Sequence, residues 1–139
     1  LEYFITKVSL PNFGYGSPLE QINRFSLIKH PSSKLVYDNL EISFLVDEDM
    51  SNWIEISDWI KRTSVSDDHR DILTDTKKHF MDGTLLITNS AMNPNVEVTF
   101  KNMFPVSIGG FEFDSQVTDL TPWTSSVVFA YDYYVVKKL

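Results

Sequence analysis

The stretch VDEDMSNWIEISDWIKR, residues 46–62, sets three consecutive acids ahead of two tryptophans spaced for a helix. At 3.6 residues per turn Trp53, Ile56 and Ile60 fall on one stripe, flanked by Ile54 and Trp59. Ser51, Glu55, Asp58 and Arg62 share the opposite face. The pattern predicts an amphipathic helix over residues 50–62, held to a sheet by Trp53, Ile56 and Ile60. Asp47, Glu48 and Asp49 then have two readings. As a calcium loop from Asp47, the run offers Ser51 at the fifth position and Asp58 at the twelfth, but Asn52 stands where a glycine is needed and the bidentate glutamate is missing. As a helix start, Asp49 or Ser51 accepts a hydrogen bond from the free N–H groups, and the acids here with Lys61 and Arg62 at the far end complement the helix dipole. The sequence favours the cap.

Working outward, residues 35–46 form the clearest strand, with Leu40, Ile42, Phe44 and Val46 on one face and Glu41 and Ser43 on the other. Residues 1–10 read as a strand stopped by Pro11, NFGYGSP as a loop by composition, and residues 20–29 as one strand. After the helix, residues 63–81 are polar and lack an apolar period, which predicts an interaction loop. Two strands follow, 83–89 and 95–101, joined by SAMNP. NMFPVSIGGFEFD reads as a Pro/Gly-punctuated link into a short strand around Phe111 and Phe113. Residues 124–136 close the chain as a strand apolar on both faces, a sign of cover on both sides. Many strands with one helix predict a mainly β fold: an antiparallel β-sandwich or partly closed barrel with one packed α-helix, in a single domain over residues 1–139.

Composition narrows the function classes. A formal net charge of −7 opposes a phosphate-binding surface, which works through clustered Lys and Arg. Without cysteine, no disulfide or thiolate metal site can form. No apolar run is long enough to span a bilayer as a helix, and LEYFITKVSL has neither the charged nor the apolar region of a signal peptide. His30, His69 and His79 lie apart on polar segments without helical zinc spacing. There is no G-x-S-x-G and no P-loop, and Gly109-Gly110 lacks the spacing of a phosphate cradle. The residues point to no enzyme, metal or cofactor. Among the aromatics, Trp53 reads as core, whereas Trp59, at the edge of the stripe, is as readily a recognition-surface residue.

In order along the chain, YFITKVSLPNF, LVYDNLEISFLVDEDMSNWIEISDWIKR, LLITNSAMNPNVEVTFKNMFPVSIGGFEFD and VVFAYDYYVV resemble the tail-tube family of contractile-tailed bacteriophages. The order of a strand ending in VDED, a W-x-x-I-x-x-W-I helix, FPVSIGG and an aromatic final strand carries the specificity. The resemblance implies a structural virion protein of the tail tube or its baseplate-end initiator, in a phage or a related contractile injection system. Six copies would form a ring in which sheets of adjacent subunits continue around a central channel, and rings would stack. An acidic chain suits a channel that DNA crosses without binding. Trp59, Tyr131, Tyr133 and Tyr134 are then candidates for the subunit interface, and the loop over 63–81 for contact with an adjacent ring or the sheath. Assembly in the host cytoplasm fits. In that family a strand normally precedes the one ending in SLP, and here the sequence begins at about that second strand: either the first strand is trimmed, or this member differs, or it lies outside the sequence. The competing reading is a monomeric β-sandwich module gripping a sugar or peptide through Trp59, Trp123 and the Tyr131/Tyr133/Tyr134 cluster.

Overall fold

In the computed structural model, the structure describes residues 5–16, 18–31, 34–63, 80–116 and 121–139. In chain order the elements are β1 (Ile5–Val8), β2 (Phe13–Tyr15), β3 (Leu19–Ile22), β4 (Leu27–His30), β5 (Leu35–Tyr37), β6 (Leu40–Leu45), α1 (Ser51–Thr63), β7 (Met81–Thr88), β8 (Pro94–Ile108), β9 (Thr124–Ala130) and β10 (Tyr133–Lys138).

All of the strand pairs are antiparallel and they resolve into two ribbons. In the first, β1 pairs β6 (Val8↔Ile42), β2 pairs β5 (Phe13↔Tyr37) and β3 pairs β4 (Leu19↔His30, Ile22↔Leu27) in nearly continuous register. The chain thus runs out along β1, β2 and β3 and returns along β4, β5 and β6. In the second ribbon β9 and β10 lie end to end along one side of β8, with Phe104↔Ala130 followed by Tyr133↔Lys101. The other side of β8 takes β7 (Leu85↔Val98). Pairing of β6 with β9, from Leu40↔Phe129 to Leu45↔Thr124, joins the ribbons into one curled sheet, a half-barrel with the helix packed against it.

Strand alternation decides the core. Leu40 and Phe44 of β6, Val98 and Phe100 of β8, and Val127 and Phe129 of β9 point to one side and are buried together with Val46, Met103 and Ile56 of α1. Each such side chain removed from water contributes roughly 1.5–3 kcal/mol before entropy is charged against it. The expected strand over 35–46 has its alternation but is broken at Asp38 and Asn39, where the partner changes from β2 to β1 and β9.

Other expectations are corrected. Residues 20–29 are not one strand but a hairpin, turned by the backbone bond from Asn23 N–H to Ser26 O (2.9 Å) and by the Asn23 side chain accepting from Arg24 N–H (2.7 Å). NFGYGSP contains strand β2, since its glycines are compatible with an exposed ribbon. The helix runs one residue later than predicted. NMFPVSI is the second half of β8 rather than a link, and residues 109–114 carry no strand. What reads as a break at Asn102 is a bend: Asn102 adopts φ 56°, a conformation asparagine tolerates. The Asp82 carboxylate accepts from Asn102 N–H (3.1 Å) and Lys101 Nζ (2.9 Å), and Asn102 Nδ2 donates to Asp132 (2.6 Å). These bonds hold Asp82 below the usual carboxylate range and Lys101 above its ordinary value. Beyond Met103, which still pairs Met81, β9 is the one strand beside β8 among the described residues, and an edge of this kind accommodates Pro105. The strand expected over 124–136 is divided at Tyr131 and Asp132 into β9 and β10.

Candidate assembly surfaces

At the start of α1 the acidic run is tied into the helix entry. Met50 N–H donates to Asp47 O and Ile54 N–H to Met50 O, both at 2.9 Å, the second being the first helical bond. The Ser51 hydroxyl donates to the Asp47 carboxylate (2.8 Å), and Asp49 lies in the turn just before the helix. Asn52, which the helical pattern does not single out, is 2% exposed and central here. Its Oδ1 accepts from Trp53 N–H (2.8 Å) and more weakly from Asp47 N–H (3.4 Å), while its Nδ2 donates to Leu45 O (2.7 Å). One buried amide therefore stitches the end of β6 to the first turn. No cluster of three or more His, Cys, Asp or Glu side chains able to hold a metal occurs among the described residues.

Of the helix residues, Ile56 is buried, and Trp53, Trp59 and Ile60 are partly buried against the core. The Trp53 indole N–H donates to Gly109 O (3.0 Å), which also accepts from the Ser125 hydroxyl (2.6 Å). Gly109 comes so close to β9 that an added Cβ would stand 3.1 Å from Ser126 Oγ and 3.3 Å from its carbonyl. Gly109 thus serves close backbone approach, whereas a Cβ at Gly110 would meet nothing within 4 Å. The Trp59 ring lies 6.2 Å from that of Phe129. Within the subunit it belongs to the helix–sheet contact.

The three tyrosines near the C-terminus separate. Tyr131 and Tyr134 join Phe100, Tyr37 and Phe13 in one aromatic cluster, with centroids such as Phe100–Tyr131 at 5.1 Å and Tyr37–Tyr134 at 5.4 Å. The Tyr131 hydroxyl donates to Asp38 O (2.7 Å) and the Tyr134 hydroxyl to Pro11 O (3.2 Å). Burial first, then neighbouring Tyr134, Asp38 and Tyr37, pushes Tyr131 up to about 12; burial and Tyr37 raise Tyr134 as well. This cluster clamps the root of the first ribbon to the body. Tyr133, on the opposite face of β10, is 46% exposed.

Past this clamp the ribbon over residues 13–37 extends as an arm. Its base is closed by Asp38 N–H donating to Asn12 O (2.9 Å), and every described residue from 18 to 31 is exposed. Ile22 and Phe25 at its tip are 87% and 90% exposed. The body offers uncovered apolar residues as well: Leu86 and Ile87 on β7, and Val135 and Val136 on β10. Among the described residues the surface therefore includes open strand edges and uncovered apolar side chains, with His30 on the arm bonded to Gln21 (3.2 Å). His69, His79 and nearly all of the expected interaction loop over 63–81 lie outside the described residues.

Residues 1–137 match the family described as phage tail tube protein. The chain belongs to that family. Solved structures carry the same fold. A sheath/tube terminator of an extracellular contractile injection system (PVC, extended state) is similar over 96% of this chain and 84% of its own, with TM-score 0.64 and 18% identity. The sheath–tube complex of that system gives TM-score 0.66 and 16% identity over 97% of this chain and 81% of the other. The anti-feeding prophage baseplate gives 0.63 and 10% over 99% and 81%. No curated protein matches. The tail-tube assignment makes the molecule's role structural.

Proposed function

We propose that this tail-tube protein forms a hexameric ring of the inner tube of a contractile phage tail, or of its baseplate-end initiator, and that stacked rings conduct DNA during ejection. The observation that carries the reading is the curled sheet whose edge strands have no outer partner among the described residues, flanked by exposed Leu86, Val135 and Val136. A β10 whose two faces are both apolar in sequence yet half-exposed in the subunit is what a neighbour would cover. The formal charge of −7 suits a conduit that DNA crosses without sticking. Tube, sheath and baseplate proteins are the partners this role requires, in the virion tail after assembly in the host cytoplasm. Tyr133 is the member of the tyrosine group left available for a subunit contact.

Of the groups the competing recognition module would use, Trp59, Tyr131 and Tyr134 are engaged within the subunit, while Trp123 and Tyr133 stay exposed, which favours the tube reading. Native mass spectrometry and negative-stain imaging of the purified protein test the proposal. Hexamers seen as rings or tubes are expected; a monomer at every concentration, including with tail-tube template present, overturns it.

A further inference from the structure

The first ribbon is interrupted where the arm leaves the body. On the body side its last pair is Val8↔Ile42, on the arm side its first is Phe13↔Tyr37, and between them residues 9–12 and 38–39 belong to no strand. Asp38 N–H donating to Asn12 O is the backbone bond that spans this gap. A ladder resists bending through its row of bonds, whereas one bond leaves the angle between its two sides free to change. The joint therefore needs another restraint.

Two tyrosines of the body supply it, one to each line of the ribbon. The Tyr134 hydroxyl donates to Pro11 O (3.2 Å) on the outgoing line, and the Tyr131 hydroxyl to Asp38 O (2.7 Å) on the returning line. Their rings seat the first residue pair of the arm: Tyr37 lies 5.4 Å from Tyr134 and 6.0 Å from Tyr131, and Phe13 lies 5.7 Å from Tyr134. The body side of this contact is itself fixed. Tyr134 pairs Phe100 in the β8–β10 ladder, while Asp132, next to Tyr131, donates its N–H to Lys101 O (3.0 Å) and accepts from Asn102 Nδ2 (2.6 Å). What is left to move is the arm.

We propose that this interruption is a hinge and that the Tyr131 and Tyr134 hydroxyls are its latch: closed, they give the arm one direction, and released, they let it swing on an intact body. Hinges are built this way, from a few residues at the ends of elements that absorb the change in backbone angles. The device belongs to the single chain, so it stands or falls apart from the ring reading. Each neutral hydroxyl bond shifts the ratio of open to closed arm by roughly 2- to 12-fold. Two such bonds acting together hold one direction, yet remain weak enough for removal of either to be seen.

The chain has no cysteine, so dyes can be attached at introduced pairs without background. Lys29→Cys on the arm with Glu55→Cys on α1 reports the arm's direction, and Glu55→Cys with Thr84→Cys on β7 reports the body; all three positions are exposed. Single-molecule energy transfer, at a dilution where chains are single, is recorded for the parent, Tyr131→Phe, Tyr134→Phe and the double variant. The parent is expected to give one narrow arm–body population. Each single variant broadens it and the double variant broadens or splits it most, while the body pair stays as it was. An arm–body distribution that the double variant leaves unchanged overturns the latch, as does one already broad in the parent. A double variant that shifts the body pair as well overturns the hinge, because the hydroxyls then hold the body together rather than the joint.

Discussion

The body and the arm are built from the same kinds of residue and end in opposite states. In the body, Phe44, Val98, Phe100 and Val127 are at most 2% exposed because β6, β8 and β9 present their alternating apolar faces to one another and to α1. In the arm, Leu19, Ile22 and Leu27 are more than half exposed, since a two-stranded ribbon has nothing to lay over either face. Composition alone does not bury a side chain; a second layer does. The body supplies that layer itself, whereas the arm receives none from the described residues.

The comparison is broken most severely in the body. Phe100→Ala removes the ring shared by the core and the tyrosine clamp and is expected to cost about 3–5 kcal/mol, read as a lower denaturation midpoint with unchanged m-value. An unchanged midpoint would mean that the core does not depend on this ring. Asn52→Ala follows, at about 1–3 kcal/mol, because Leu45 O and Trp53 N–H lose a buried partner; Asn52→Asp keeps the acceptor but buries a carboxylate against Leu45 O, so chemical denaturation near neutral pH should show no recovery.

At the junction of the two regions, Tyr131→Phe removes the bond to Asp38 O and should cost about 0.5–1.5 kcal/mol. The same hydroxyl gives a pH signature. Its folded value is raised to about 12 from 10.0, so the folded state holds the proton where the unfolded state releases it. The contribution is fully present below pH 10 and is lost as pH rises toward 12. A melting series across that window should show a slope that Tyr131→Phe diminishes. The smallest effect belongs to the arm. Phe25→Ser should change the stability of the isolated subunit by less than about 0.5 kcal/mol, because an exposed ring has little to lose. A large destabilisation of the monomer would show that the arm already packs on its own body.

How much was legible follows from the same contrast. The helix and the strand ahead of it could be read because each has one wet and one dry face: Trp53, Ile56 and Ile60 at helical spacing, Leu40, Phe44 and Val46 at strand spacing. The order of those pieces also carried the family resemblance, which the match over residues 1–137 bears out. The arm was not legible, because with both faces exposed Glu20, Gln21, Lys29 and Ile28 fall into no period, and the turn at Asn23 hides inside an apparently continuous run. Asn52 and Gly109 escaped for another reason. Their value lies in Leu45 O, Trp53 Nε1 and Ser125 Oγ, groups brought near by folding.

The sequence by itself determined which segments bury one face, and with them a mainly β fold holding one amphipathic helix, since periodicity is written locally. The tertiary structure decided how the strands join: that β8 bends at Asn102 to serve two neighbours, that β9 and β10 share one line, and that β1 to β6 form a ribbon whose outer half leaves the body. Edge pairing is a relation between distant backbones. It depends on hydrogen bonds that every residue except proline can make, and so it leaves no side-chain signature to read in advance.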